Sequence, residues 1–235
     1  MTKVCIVGSA DSLIGKGLGE QIDNHDIIIR INQPQISGFE KDVGSRITHS
    51  FISPWQIVGF TPNRSICRKC HSKMENATPV EKSIIIEDCF NRLKLEDNGT
   101  IVLKDTTEGV SYDFHRFYKE ISHLIDTSIN FSFIQVLKSH HGVKKWRKRG
   151  FAKVPTNGTL VIEHYRKVYG NVNIAGFGHS SKARHDKFYH YWDSKKEKNL
   201  TNHPHDINTD IIWLKKLHDK HKIRILELDE NNNTF

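Results

Sequence analysis

The feature of this 235-residue chain that most constrains its fold is an alternation of short β-branched runs with segments of helical period. This alternation predicts an α/β fold, in which helices flank a parallel sheet. Several of the runs are apolar throughout, as strands buried on both faces are. The predicted strands are 3–8, 26–32, 48–53, 82–88, 129–136, 171–178 and 222–228.

Helices are predicted where apolar residues recur every three or four positions, at 112–125, 158–170 and 206–221. The chain is long enough for one domain with a sizeable core. The sequence therefore predicts a single Rossmann-like domain over residues 1–235, with a mostly parallel sheet.

The chain carries an excess of basic residues, with 35 Lys and Arg against 27 Asp and Glu and a formal net charge of +8. This excess favours anionic partners such as nucleotides, acidic sugars, anionic lipid headgroups or nucleic acid. The strands lack the surface aromatic pattern of RNA-binding sheets, so no nucleic-acid partner is expected. The basic segment 144–149 could cover a ligand or meet an anionic membrane at the periphery, although a solvated charge run is the default interpretation.

The sequence has no apolar run of about 18 residues, and its first apolar stretch is too short for a signal peptide. We therefore expect a soluble or peripheral protein. Cysteines stand at four positions and are predicted to be reduced thiols in the cytosol, since a chain of this size does not need disulfides. Cys67, Cys70 and His71 spell CRKCH, which matches haem attachment or half a zinc site. A single copy without an export signal or a second cysteine pair is better explained by chance.

Two segments have the residues of an anion site. The first predicted strand ends at Gly8, and Ser9 begins a turn where backbone N–H groups and a helix dipole can hold phosphate. Its glycines lack the GxGxxG spacing of dinucleotide sites. Thr156, Asn157 and Gly158 stand at the start of a predicted helix, where they either bind an anion or simply cap the helix. The residues alone leave both interpretations open.

Longer blocks resemble the motifs of the animal-type sialyltransferases, glycosyltransferase family 29. The run GLGEQIDNHDIIIRINQPQISGFEKDVGSRITHSF resembles the large motif, with G-x-x-I-D-x-H-D, then R-x-N, then G-F-x-x-D-V-G-x-x-T-H. The run VPTNGTLVIEHYRKVYGNVNIAGFG resembles the small motif. YHYWD around His190 and HDINTD from His205 resemble the third and last motifs, so the resemblance covers nearly the whole chain.

The resemblance implies a variant of the GT-A fold and an inverting transfer of sialic acid from CMP-sialic acid to a glycan hydroxyl, with no metal or cofactor. It implies that His205 is the general base and that His190 contacts the donor phosphate, two jobs for which imidazole is suited. Tyr191 and Asp210 are implied to support the site, and Asp210 stands where the family has glutamate. The residues implied to line the donor site are Gly8, Ser9, Asn32, Thr156, Asn157, Gly158 and Gly176, with Ser53 and Pro54 as weaker members.

The chain also departs from the family's pattern. The family's disulfide has no counterpart, because Cys5 lies one position from the expected cysteine and Tyr169 occupies the other place. Ser9 stands where the family has asparagine, which leaves the donor sugar open. No membrane anchor or stem is apparent. We therefore expect a bacterial or viral enzyme, cytoplasmic or peripheral at the inner membrane, that acts on lipopolysaccharide or capsule. A Golgi location is expected only for a trimmed chain.

Two alternatives to sialic acid transfer stay open at this point. CMP-Kdo, an eight-carbon acid with the same carboxylate and ketosidic carbon, would suit the same fold and mechanism. An NAD or SAM enzyme would bind its cofactor at the same first turn, but Arg30 and Asn32 end the second strand, where a dinucleotide site has an acidic residue. Arg30 is expected to be structural. The expected partners are a CMP-activated ulosonic acid and a glycan or glycolipid acceptor.

Overall fold

A computed structural model describes residues 2–32, 34–52, 96, 99–105, 132–138, 146–152, 155–178, 190–192 and 207–228. The chain forms two compact units, one of Met1–Arg46 with Gly142–Phe235 and the other of Ile47–His141. Because the first unit combines both ends of the chain, segments that are far apart in sequence share one unit.

The elements alternate between strands and helices along the chain. The strands are β1 (Val4–Val7), β2 (Ile27–Ile31), β3 (His49–Ile52), β4 (Thr100–Asp105), β5 (Ser132–Lys138), β6 (Val172–Ala175) and β7 (Ile223–Ile225). The helices are α1 (Gly19–Asp23), α2 (Glu40–Val43), α3 (Asn157–Tyr169) and α4 (Ile207–Asp219), with 3-10 helices at Asp11–Leu13 and Leu226–Leu228.

In the first unit, the parallel strands lie in the order β2, β1, β6, β7. Cys5 and Val7 of β1 pack in one buried cluster with Leu18 and with Ile22 of α1. Since neighbouring strand residues point to opposite faces, Ile6 faces the other side, and β1 and β6 contact α3. Apolar side chains are therefore buried on both faces, as the apolar strand sequences predict.

The two long helices follow their sequence signals. Helix α3 begins after Thr156, whose hydroxyl accepts a hydrogen bond from the Thr159 amide, and ends at Gly170, where φ is 82°. Helix α4 buries Ile207, Asp210 and Leu214, which are three and four residues apart and so lie on one face. Within the described part of the chain, no helix is long and apolar enough to cross a membrane.

The second unit contains β3, β4 and β5, and β4 pairs in parallel with each of the other two. Ser50 of β3 is in register with Ile101 of β4. Phe51 and Val102 are fully buried. The described part of this unit is thus also built on parallel pairing, and the described helices that accompany parallel strands lie in the first unit.

Six of the seven predicted strands are confirmed, as are the helices predicted at 158–170 and 206–221. The strand predicted at 82–88 and the helix predicted at 112–125 lie outside the described residues. Strand β4 was not predicted, although TIVLKD has a β-branched start. The predicted last strand is too long, because the chain turns into a 3-10 helix at Leu226–Leu228.

Candidate functional site

The turns that follow β1 and β6 lie in backbone contact. The Gly8 amide donates to the Ala175 carbonyl at 2.7 Å, and the Ala10 amide donates to the Gly176 carbonyl at 2.9 Å. A Cβ on Gly8 would lie 2.3 Å from the Gly176 oxygen, which excludes any side chain there. Gly176 has a φ of 78°, a conformation that favours glycine. Two predicted donor-site glycines are therefore side by side at the carboxyl ends of neighbouring strands.

The ring of Phe177 joins these turns to the start of α3. A Cβ on Gly158 would lie 2.4 Å from Cε1 of Phe177, and a Cβ on Gly8 would lie 3.3 Å from the same atom. All three glycines thus have a packing reason to be glycine, and the same close approach brings the N-terminus of α3 to the edge of the sheet. The N–H groups of a helix start, with their partial positive charge, favour an anion at this edge.

The first turn of α3 is bonded to α4 through Asp210. The Asp210 side chain is 3% exposed, and its Oδ2 accepts a hydrogen bond from the Thr156 amide at 3.0 Å. The Thr156 hydroxyl accepts from the Thr159 amide at 3.4 Å and caps the helix, and Asn157 is half-buried beside it. Asp210 thereby ties α4 to the predicted donor site.

The segment of residues 190–192 docks on the turn after β1. The Tyr191 amide donates to the Ser9 carbonyl at 3.0 Å, and the Tyr191 hydroxyl donates to the carbonyl of Gln35. Burial raises the pKa of Tyr191 to about 12, so its hydroxyl stays a donor at neutral pH. His190 is half-buried and stacks on Trp192, with ring centroids 4.5 Å apart. The Ser9 contact brings the third motif to the first turn.

Arg30 and Asn32 stand at the end of β2. Arg30 is fully buried, its Nε donates to the Arg46 carbonyl at 2.9 Å, and burial lowers its pKa while the nearby Tyr191 and Asp23 oppose that shift. This geometry fits the structural role predicted for Arg30. Asn32 is half-buried with a φ of 61°, a left-handed conformation that asparagine tolerates better than most residues.

Other residues of the large motif build the framework behind the site. Asp23 accepts hydrogen bonds from the amides of Ser45 at 2.7 Å and Arg46 at 3.0 Å. His25 is 5% exposed, its Nδ1 donates to the Gln21 carbonyl at 2.9 Å, and its Nε2 accepts from Asn173 at 2.6 Å. These bonds connect α1 and the start of β2 with α2's following loop and with β6, so much of the motif holds the fold together.

Glu227 is a residue of this edge that the sequence analysis missed. Its Oε1 accepts from the Gly176 amide at 2.7 Å and from the Ser12 hydroxyl at 3.1 Å. Burial raises the pKa of Glu227, and the hydrogen bonds from Gly176 and Ser12 oppose that shift. The available signal was an acidic residue at the carboxyl end of a predicted buried strand, where ligands of α/β proteins bind.

The described part of the basic segment, residues 146–149, is only partly solvated. Trp146 is 7% exposed and packs edge-on against Trp213 of α4. Arg149 stacks over Trp146 and donates to buried Glu163 at 2.9 Å, whereas Arg147 and Lys148 are exposed. This part of the segment thus belongs to a packed cluster between α3 and α4. Its contact with an anionic membrane stays a prediction.

His205, Ser53 and Pro54 lie outside the described residues. A cavity of about 700 Å³ lies beside α1 and is lined by residues that include Lys16, Asn173 and Arg224; none of the donor-site residues that the structure describes lines it. The described residues contain no group of three or more His, Cys, Asp or Glu side chains arranged to hold a metal ion.

Comparison with known proteins gives consistent matches. Residues 1–222 match the model of "Glycosyltransferase family 29 (sialyltransferase)". The chain is 29% identical over 195 residues to CMP-N-acetylneuraminate-beta-galactosamide-alpha-2,3-sialyltransferase 2 of Mus musculus, covering 83% of this chain and 47% of the relative. It is 26% identical over 194 residues to CMP-N-acetylneuraminate-beta-galactosamide-alpha-2,3-sialyltransferase 1 of Gallus gallus, covering 82% of this chain and 48% of the relative. The chain therefore spans about half the length of these curated relatives.

A solved structure supports the fold. The crystal structure of a mammalian sialyltransferase in complex with Gal-beta-1-3GalNAc-ortho-nitrophenol matches with a TM-score of 0.56 and 20% identity, over 95% of this chain and 68% of that chain. A second crystal structure of a mammalian sialyltransferase matches with a TM-score of 0.57 and 18% identity. At these identities the likeness shows the α/β fold alone.

The predicted cytoplasmic location is wrong. The matched relatives are animal sialyltransferases, the group for which the resemblance implies the Golgi lumen. The prediction depended on features the sequence lacks, namely an apolar segment and disulfide cysteines. An absent feature carries no information about compartment in a chain that spans about half the length of its relatives.

Proposed function

This chain belongs to glycosyltransferase family 29, and on that premise we propose that it transfers sialic acid from CMP-sialic acid to a glycan hydroxyl. The observation that carries the proposal is the meeting of separate motifs at one edge of the first unit. Gly8 and Gly176 are in backbone contact, Gly158 reaches the same ring of Phe177, and Tyr191 is bonded to Ser9. The proposal treats both units as parts of one catalytic domain.

In this proposal the donor's CMP moiety binds where the glycine turns face the start of α3. Glycines at these turns let the two strand ends and the start of α3 pack together, which brings the N–H groups of the α3 start to this edge, where they can bind a phosphate. The partial positive charge of the α3 N-terminus and a donor nitrogen of His190 stabilise the phosphate as negative charge develops on it. Asn32 at the end of β2 supports the nucleoside side of the same edge.

We assign the proton transfer to His205. The bond between the sugar's anomeric carbon and the CMP oxygen breaks, with its electron pair leaving on the phosphate, while the acceptor oxygen forms the new bond to that carbon. A neutral His205 takes the acceptor's proton, a contribution typically of about 100- to 10,000-fold in rate. Attack opposite the leaving group inverts the anomeric centre. The reaction needs no metal and no cofactor, because protein donors stabilise the leaving phosphate.

The first experiment is calorimetric titration of the purified protein with CMP, UMP, CDP and NAD. We expect selective CMP binding that weakens in His190→Ala. His221→Asn is the matched control, because His221 is exposed and its φ of 54° is tolerated by asparagine. Absence of a cytidine preference, or an unchanged His190→Ala variant, would contradict the proposal, and tight NAD binding would favour a Rossmann-type dehydrogenase.

The donor sugar is then identified by a transfer assay. CMP-sialic acid and CMP-Kdo are tested as alternative donors with the same β-galactosamide acceptor. This acceptor class is part of the names of the matched relatives. We expect transfer from CMP-sialic acid, unchanged by EDTA, with an inverted anomeric centre by NMR. Transfer from CMP-Kdo alone would show that Kdo, and not sialic acid, is the sugar transferred. Loss of activity in EDTA would contradict the proposal that the reaction needs no metal.

A further inference from the structure

We propose that Glu227 is a positioning residue for the donor site, acting through a clamp formed by Ser12, Gly176 and Glu227. The inference rests on the proposed function, because it takes the glycine turns to be part of the donor site. Glu227 lies in the 3-10 helix Leu226–Leu228, beyond the residues 1–222 that the family model matches. The family's motifs therefore do not account for it.

The clamp joins the two glycine turns through one oxygen atom. Oε1 of Glu227 accepts from the Gly176 amide at 2.7 Å, in the turn after β6, and from the Ser12 hydroxyl at 3.1 Å, in the 3-10 helix after β1. Ser12 is 8% exposed, so this contact is shielded from water. The second oxygen, Oε2, is buried, and no hydrogen bond to it is found within the described part of the chain. The two bonds made by Oε1 therefore orient the carboxyl group between the two turns.

The Gly176 turn depends on this acceptor for its position. Gly176 is buried, and a buried amide that loses its acceptor is costly unless the backbone moves to find another. Any such movement carries the Gly176 carbonyl, which accepts from Ala10, and the adjacent ring of Phe177, which borders Gly158. Loss of the clamp would thus change the spacing between the glycine turns and the start of α3.

The acceptor role does not require a negative charge. Lys16 is the charged residue that favours the ionised form of Glu227, and burial opposes it. An amide oxygen can accept from Gly176 and Ser12 as well as a carboxyl oxygen can. Glu227→Gln therefore keeps the clamp, whereas Glu227→Ala removes it and Ser12→Ala removes one of its two bonds.

The test compares CMP affinity by calorimetry in the wild type, these three variants and the control Glu20→Gln, which changes an exposed glutamate of α1. We expect Glu227→Ala to raise the Kd for CMP about tenfold, the effect of losing one good hydrogen bond. We expect about threefold for Ser12→Ala and no change for Glu227→Gln or Glu20→Gln. In transfer assays the KM for the donor should rise with the Kd, while the KM for the acceptor stays constant.

The outcomes separate this inference from the proposed function. If the wild type binds CMP selectively but Glu227→Ala and Ser12→Ala bind it equally well, the clamp is overturned and the proposed function stands. A weakened Glu227→Gln equal to Glu227→Ala would also overturn it, because charge rather than position would then matter. If Glu227→Ala does not fold, Ser12→Ala decides. If the wild type shows no preference for cytidine nucleotides, the proposed function is overturned. The clamp can then no longer be assigned to a donor site.

Discussion

Two polar regions of the first unit are built in opposite ways. Around α1 and the start of β2, side chains make the bonds: Asp23 accepts from Ser45 and Arg46, and both ring nitrogens of His25 have partners. At the carboxyl ends of β1 and β6, the backbone makes the contacts, through Gly8 and Gly176. The side-chain bonds of the first region hold α1, β2 and β6 together, and the backbone contacts of the second bring two strand ends together at the edge proposed to bind the donor.

The difference teaches that residues resembling the family's motifs serve two purposes, one in holding the fold together and one at the proposed donor site. Substitutions in the side-chain network should lower stability and leave the affinity of the folded protein unchanged. Substitutions at the carboxyl edge should lower binding or rate with less effect on stability. The contrast would be contradicted by a variant of the side-chain network that weakens binding, or by a variant of the carboxyl edge that lowers stability alone.

The largest effect is expected for His205→Ala. If His205 is the general base, kcat should fall about 100- to 10,000-fold, because the acceptor proton loses its positioned base. The melting temperature and the Kd for CMP should stay at wild-type values. Steady-state kinetics with calorimetry would check this, and the exposed His221→Asn variant is the control. A normal kcat would remove His205 from the chemistry.

The next effect should be on stability alone. Asp23→Ala removes the acceptor for the Ser45 and Arg46 amides, and we expect a loss of about 2 kcal/mol in the free energy of unfolding. Urea unfolding measures this loss, with Asp219→Ala as an exposed control expected to stay within about 0.5 kcal/mol. A stable variant with weak CMP binding would show that Asp23 belongs to the site region instead.

Asp210→Ala should lower both the stability and the affinity for CMP. Asp210 is a buried side chain whose hydrogen bond also positions the start of α3. Loss of its bond leaves the Thr156 amide without that acceptor, so we expect about 1–2 kcal/mol less stability. The shift in the first turn of α3 should also weaken CMP binding severalfold. Unfolding and titration of the same preparation test this. A change in stability with unaltered affinity would confine Asp210 to the framework.

The smallest effect concerns pH. Burial raises the pKa of Glu227 above its ordinary value of 4.5, so the folded state holds the proton more tightly than the unfolded state. This contribution to stability is complete below that ordinary value and is lost as pH rises through the folded-state pKa. Melting temperatures across pH 4–8 should therefore fall less with pH in Glu227→Gln than in the wild type. Parallel curves would show that Glu227 does not carry this dependence.

The sequence predicts most of this fold because its signals are local. Apolar β-branched runs mark six confirmed strands, and Thr156 with Gly170 marks both ends of α3. Helices α1 and α2 have only 5 and 4 residues, too few for a helical period to be visible. The contact of Glu227 with Gly176 joins positions 51 residues apart, so no local pattern predicts it. The candidate site stays a prediction from motif resemblance, and the Glu227 contact at its edge is visible only in the structure.

The ring of Phe177 lies against two glycines, Gly8 and Gly158. Its Cε1 atom would lie 2.4 Å from a Cβ at Gly158, which leaves no room for one, and 3.3 Å from a Cβ at Gly8, which is a tight contact. A smaller residue at 177 would free volume at Gly158, whereas Gly8 would still be blocked by the Gly176 carbonyl. The two glycines therefore differ in what can replace them. A larger residue at position 158 could be accommodated together with a smaller residue at position 177, whereas no side-chain change at position 177 would make room at position 8.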